Sequence, residues 1–235
     1  MSAPRSARTV LLTGANRGIG LALTRELLAR GDRVIAACRD PAAAADLAAL
    51  TGQGAQLVAL DVASPPSVAQ LASQLADEPL DVVINNAGVA EDRGGLATFD
   101  VAVWRRTYEI NVFGAVAVAN AFLPNLLRGR EKKLINISSA AGSLTTAKAD
   151  NPAYRSSKAA LNMAMRCIAV ELKPAGVAVA ILSPGIVATD MTAQRGYANA
   201  ITPETSARGL ADRIDEASLE TSGEFRRYNG DPIPW

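Results

Sequence analysis

The chain has 235 residues, a net charge of +1 from 24 Lys and Arg against 23 Asp and Glu, and 4% aromatic residues. A near-neutral surface with few stacking rings offers nucleic acid neither a field nor a platform, so no nucleic-acid partner is expected. Histidine is absent, which removes Ser-His triads, His-ligated metals and imidazole shuttles and leaves Tyr, Lys, Asp, Glu and Cys as possible acids and bases.

The chain begins on a basic segment, Met1 to Arg8, followed by only three apolar residues, Val10-Leu11-Leu12, before Thr13-Gly14. That run is too short for a signal-peptide core. The longest apolar stretch, Ala115 to Leu123, is broken by Asn120 and falls short of a spanning length. A cytoplasmic protein without a membrane partner is the expectation. Cys38 and Cys167 lie far apart with no metal-ligand spacing, so reduced thiols and no metal site are expected.

Short β-branched or aliphatic runs predict strands at 9–12, 33–37, 56–60, 82–84, 134–137 and 177–182. Ala- and Leu-rich stretches between and after them predict helices at 19–29, 41–50, 67–75, 99–127, 152–172 and 203–215. Pro152 and Pro203 sit where first-turn prolines are tolerated, and Ser64-Pro65-Pro66-Ser67 reads as the turn that opens the third helix. This alternation predicts an α/β fold, a doubly wound parallel sheet with helices on both faces and a ligand crevice at the strand carboxyl ends. No linker, repeat or low-complexity tract divides the chain, so residues 1–235 are expected to form one domain.

Two motifs carry chemistry. The first strand runs into Thr13-Gly14-Ala15-Asn16-Arg17-Gly18-Ile19-Gly20, where glycines permit a tight turn and let backbone amides approach a pyrophosphate at a helix N-terminus; a plain turn is the alternative. Tyr154 and Lys158 are four apart and share one helical face. Lowering the Tyr pKa of about 10 by roughly three units takes about 4 kcal/mol of phenolate stabilisation, which an ammonium within about 4–6 Å in a shielded site supplies. An accidental surface pair is the bland alternative.

In order along the chain, Thr13-Gly14-x-x-x-Gly18-x-Gly20, Asn85-Asn86-Ala87-Gly88, Asn111, Ser139, Tyr154-x-x-x-Lys158 and Pro184-Gly185 resemble the short-chain dehydrogenase/reductase family over nearly the whole chain. Asn16 to Gly20, the stretch 154–163 and the terminal Asn229 to Trp235 are similar to sniffer-type carbonyl reductases and bacterial C-factor-like proteins. The resemblance implies a Rossmann sheet of about seven strands in the order 3-2-1-4-5-6-7, forming a single NADP-binding reductase domain. It also implies that Tyr154 protonates a carbonyl oxygen, Lys158 lowers its pKa and bonds the nicotinamide ribose, Ser139 hydrogen-bonds the same oxygen, and Asn111 holds a water linking Lys158 to solvent. Ser138 is the rival of Ser139, and the gap from Ser139 to Tyr154 is longer than is usual in the family, which leaves the alignment of that loop open. For the cofactor, the resemblance assigns Gly14, Asn16, Arg17, Gly18, Ile19 and Gly20 to the phosphates. Asp61 and Val62 go to the adenine, Asn86, Ala87 and Gly88 to the turn after the fourth strand, and Pro184, Gly185, Val187 and Thr189 to the nicotinamide end.

Cys38 stands where family members using NAD carry Asp, and Arg39 follows it. A guanidinium suits a 2′-phosphate, and Arg17 adds a second cation, so NADP(H) is favoured; the alternative is a pair of solvated arginines, with Asp40 supplying the carboxylate. The short polar stretch Thr192 to Ile201 suggests an open pocket for small or flat carbonyl compounds, with Met191, Tyr197 and Trp104 as possible lining. Helices 99–127 and 152–172 correspond to those through which family members pair, implying a homodimer or homotetramer. The leading functional expectation is an NADPH-dependent oxidoreductase reducing a ketone or aldehyde to an alcohol. A cofactor-binding signalling or regulatory protein of C-factor type and a pure scaffold are the alternatives.

Overall fold

A computed structural model describes residues 6–91, 95–193 and 197–235. Seven strands, β1 (Thr9–Thr13), β2 (Arg33–Cys38), β3 (Ala55–Ala59), β4 (Val82–Asn85), β5 (Lys133–Ile137), β6 (Ala178–Ser183) and β7 (Phe225–Arg227), form one sheet in the order β3-β2-β1-β4-β5-β6-β7. Every neighbouring pair is parallel. Six strands fall where the aliphatic runs predict them. Only β7 lacks such a run, because Phe225 is its one buried residue.

Both faces of the sheet are covered, which is why the strands read as continuous aliphatic runs without alternation. Val10 and Leu12 of β1 enter one core, with Leu23 and Leu27 of α1 (Gly18–Ala29), Leu47 of the four-residue α2 (Ala45–Ala48), and Leu210 and Ile214 of α8 (Pro203–Glu216). Leu11 between them enters the other. That core holds Leu71 of α3 (Pro65–Gln74), Phe122 of α5 (Ala115–Arg128) and Met165 of α6 (Pro152–Leu172).

Two predicted helices differ from the structure. Of 41–50 only α2 is helical, because Asp40 Oδ1 accepts from the Ala42 and Ala43 amides at 3.1 and 3.2 Å, an Asx turn that competes with the helix start. The stretch 99–127 is helical from residue 101 to 128 but in three pieces: α4 (Val101–Tyr108), capped by Asp100, then a π-helical turn, Glu109–Gly114, then α5. Contrary to the sequence expectation, this continuous stretch is long and apolar enough to cross a membrane by length and composition; 56% of its apolar window is buried inside the protein, facing the second core.

At the strand amino ends, Arg8 is 1% exposed and meets Asp32 at 2.7 Å, Asp215 at 2.7 Å and Glu131 at 3.4 Å, joining β1 to the α1–β2 turn, the start of β5 and the end of α8. Asp32 is the fully buried partner and accepts from Arg8 Nε and Nη2 at 3.1 and 2.7 Å, so its removal leaves two buried guanidinium donors unpaired, with Asp215 and Glu131 facing only Nη1. Asp32→Ala is therefore expected to destabilise the fold by about 3 kcal/mol, read as a drop of roughly 6–12 °C in the thermal midpoint; a change below about 1 kcal/mol would contradict this role.

Candidate active site

The loops leaving β1, β2, β3, β4, β5 and β6 enclose a cleft of about 650 Å³ at the carboxyl edge of the sheet. Its floor at one end is the glycine-rich turn. Gly14 has φ of +66°, and a Cβ there would lie 2.9 Å from Ala87 Cα; one on Gly20 would lie 2.0 Å from Gly14 O. Asn86 Nδ2 donates to Thr13 O and Gly14 O at 2.9 and 3.0 Å, while Thr13 Oγ1 accepts from the Asn86 and Ala87 amides. The loop after β4 thus laces the glycine turn into place, and α1 starts at Gly18 with its amino end at the cleft. Arg17 sits at that helix start and meets Asp190, the first residue of the short α7 (Asp190–Ala193), at 3.2 Å across the cleft.

At the end of β2, Cys38 is buried and its thiol is pushed up by burial, which keeps it neutral. Arg39 and Asp40 are exposed at the cleft edge. Because Asp40 caps its own turn, its carboxylate is already engaged. Asp61 and Val62 follow β3 and line the adjoining wall, with Asp61 Oδ1 accepting from the Ala63 amide at 3.0 Å.

Helix α6 supplies the chemistry at the opposite end. Tyr154 and Lys158 both line the cleft, and the Lys158 nitrogen lies 5.9 Å from the phenol ring centroid. Lys158 is 4% exposed and donates to Ile137 O at 2.9 Å. Burial holds its ammonium below the usual Lys value, at about 8. Gly88 faces this pair: a Cβ there would lie 3.2 Å from Asn111 Oδ1 and 3.6 Å from Lys158 Nζ.

Asn111 lies in the π-helical turn, a distortion that recurs at functional sites. Its Oδ1 accepts from the Val89 amide at 2.8 Å, and its Nδ2 donates to Val89 O at 2.9 Å and Ser157 Oγ at 3.0 Å. The side chain is thereby a brace between the loop after β4 and α6, standing behind the lining. Ser139 Oγ accepts from the Ala141 amide at 3.2 Å at the start of a 3₁₀ turn, Ala140–Gly142, whereas the hydroxyl of its rival Ser138 donates to Asn162 on α6.

Most predicted cofactor residues line the cleft: Gly14, Asn16, Arg17, Gly18, Ile19, Gly20, Arg39, Asp61, Val62, Asn86, Ala87, Gly88, Tyr154, Lys158, Pro184 and Thr189. Gly185 and Val187 do not. Gly185 turns the chain at φ +84° against the Tyr228 ring, and Val187 is buried and bridged to Ile201. Ser139 and Asn111 also stand outside the lining, whereas Ser138, the rival of Ser139, is part of it. Met191 reaches the cleft, Tyr197 is outside its lining, and Trp104 packs between Phe99 and Tyr108 at 5.7 and 6.5 Å. Residues 194–196 of the expected substrate loop fall outside the described residues. Sequence reasoning missed Ala43, Leu60, Val89, Ile110 and Ile137 as lining; the strand-end rule points to Leu60 and Ile137.

The family profile for short chain dehydrogenases matches residues 8–199. The chain belongs to that family and is an oxidoreductase of its fold and motif set. It is 41% identical over 167 residues to the C-signal protein of Myxococcus xanthus, covering 70% of this chain and 98% of that protein. Among solved structures it is similar to an NADPH-bound carbonyl reductase from chicken fatty liver, with a TM-score of 0.92 and 32% identity over 98% of this chain and 100% of that one. The carbonyl reductase Sniffer of D. melanogaster superposes with a TM-score of 0.90 at 27% identity, again over 98% and 100% of the two chains. The resemblance to sniffer-type and C-factor-like proteins is borne out.

Lys158 titrates near 8 in the folded chain and near 10.5 when unfolded. Between these values the unfolded state binds the extra proton, so this residue's contribution to stability becomes more favourable as pH rises from 8 to 10.5 and is flat below 8. Unfolding of the protein free of cofactor, measured beside Lys158→Met, is expected to show the wild type gaining on the variant across that window. A difference that falls as pH rises would contradict the buried ammonium.

Proposed function

We propose that the protein reduces a ketone or aldehyde to an alcohol with NADPH, and the observation that carries this reading is Tyr154 beside a buried Lys158 at the mouth of the cleft. The glycine turn, closed to a Cβ at Gly14 and Gly20, the amino end of α1 and the cleft volume of about 650 Å³ fit a dinucleotide. When bound, NADPH supplies the hydride. Lys158, anchored by Ile137 O, favours the phenolate and so makes Tyr154 the stronger acid. Tyr154 donates its hydroxyl proton to the carbonyl oxygen as charge develops there, and Ser139 offers that oxygen a second hydrogen bond. Asn111 keeps the Val89 loop against α6, and its Oδ1, which accepts one bond of the two it can, would hold the water leading to Lys158.

The 2′-phosphate reading rests on the same edge of the cleft. Asp40 is engaged with Ala42 and Ala43, Cys38 is neutral, and Arg39 and Arg17 are the cations at hand. These features support NADPH over NADH, since two guanidinium groups stand at this edge and Asp40, the carboxylate beside them, already spends one oxygen on its own turn. The likeness to the C-signal protein favours a second reading, a cofactor-binding signalling protein with little turnover.

Pairing through α5 and α6 into a homodimer or homotetramer is supported by apolar side chains at the surface: Phe113 just before α5, and Met163 and Val170 on α6, are 60%, 63% and 74% exposed. Light scattering at micromolar concentration is expected to give a mass above that of one 24.4 kDa chain; a mass of one chain would overturn the pairing.

Turnover of a carbonyl panel with NADPH and with NADH separates the readings. Tyr154→Phe is expected to lower kcat by about a hundredfold or more with NADPH binding kept, and Arg39→Ala to lower kcat/KM for NADPH by roughly tenfold while sparing NADH. Binding of NADPH without turnover of any carbonyl points to the signalling protein. A preference for NADH that survives Arg39→Ala overturns the cofactor assignment.

A further inference from the structure

Resting on the reductase reading, we propose that Asn162 is a positioning residue that fastens the exit of β5, and with it Ser139, to the helix bearing Tyr154, acting through the hydroxyl of Ser138, which itself lines the cleft. Tyr154, Lys158 and Asn162 are spaced at i, i+4 and i+8 on α6 and so lie along one face of the helix. That face grips two consecutive residues where β5 leaves the sheet: Lys158 Nζ holds Ile137 O at 2.9 Å, and Asn162 Oδ1 accepts from Ser138 Oγ. Ser139 is the next residue.

Two further restraints locate the same exit. The Ala140 amide donates to Ser183 Oγ at 3.1 Å, and Gly142 presses directly on the helix, where a Cβ would lie 2.8 Å from Lys158 C and 3.0 Å from Asn162 Nδ2. The chain from Ile137 to Gly142 is thus fastened to the helix that carries the proton donor, and Asn162 supplies the only side-chain bond made by Ser138 among the described residues.

The residue type argues for geometry over stability. Asn162 is 2% exposed, and its Nδ2 has no hydrogen-bond partner. A buried amide that leaves a donor unpaired is a net burden on folding, and an apolar side chain of similar volume would avoid it. What an apolar residue could not do is hold Ser138. Ser138, at the cleft wall, is then the strut that locates the residue after it, and Ser139, just behind the lining, is the hydroxyl that the reductase reading brings to the substrate oxygen.

The test pairs turnover with a measurement that needs none. Asn162→Ala and Ser138→Ala, which removes a single oxygen, are each expected to lower kcat by tenfold or more with NADPH affinity unchanged. The double variant should lose no more than either single one, because both break the same bond. Without substrate, backbone amides of 139–143 should exchange at least tenfold faster in either variant, with the Gly14 to Gly20 turn unaffected. Asn162→Asp, which keeps an acceptor of the same size, should restore slow exchange. If Asn162→Ala does not fold, Ser138→Ala carries the same expectations alone. Unchanged exchange at 139–143, additive losses, or equal loss of NADPH binding and turnover would overturn the assignment. A wild type that turns over no carbonyl while the exchange pattern holds would instead sink the reductase reading and leave the clasp standing.

Discussion

One hydrogen bond organises this molecule: the Lys158 ammonium, almost wholly shielded from water, donating to the carbonyl of Ile137 at the end of β5. A charged group removed from solvent must be held by polar partners or give up its proton, and the fall of the Lys158 pKa to about 8 shows how closely these alternatives are balanced. The bond ties α6 to the central sheet at the point where β5 opens into the loop bearing Ser139. The same atom stands beside the Tyr154 ring, so the anchor of the fold and the tuner of the acid are one group.

Close approach around that group explains the small residues nearby. Gly88 leaves room beside Lys158 and Asn111, and Gly142 lets the loop after β5 lie on the α6 backbone. The π-helical turn has the same logic. A regular helix through Glu109–Gly114 would hold fewer residues per turn, whereas the wider turn carries Asn111 where both of its polar atoms reach Val89, and Gly114 admits Val62 at its back. At the other end of the cleft the Asn86 amide does for the glycine turn what Asn111 does for Val89: it gives buried loop carbonyls the donors they lack.

Much of this was legible in the residues. The aliphatic runs located six strands because a parallel sheet covered on both faces has no polar side to confuse the pattern. The first-turn proline placed α6 to the residue, and with it the face shared by Tyr154 and Lys158. The strand at Phe225 escaped because three residues with one buried side chain carry no periodic signal. The segment 41–50 misled because alanine propensity speaks for a helix while Asp40, outside the alanines, bonds the very amides that would begin it. Gly185 and Val187 were assigned by motif, yet their contacts are with Tyr228 and Ile201, partners distant in sequence. Ser138 lines the cleft and bonds Asn162, a partner that no local pattern connects to either serine.

The account stands or falls on where a nicotinamide and a carbonyl settle relative to α6. A crystal structure with NADP⁺ and an unreactive carbonyl analogue tests it most directly. It predicts the diphosphate at the amino end of α1, Lys158 Nζ bonded to ribose hydroxyls while keeping Ile137 O, and Tyr154 Oη and Ser139 Oγ both within hydrogen-bond distance of the analogue's oxygen. A cofactor bound with Lys158 touching only Ile137, or a carbonyl oxygen out of reach of Tyr154, would contradict it.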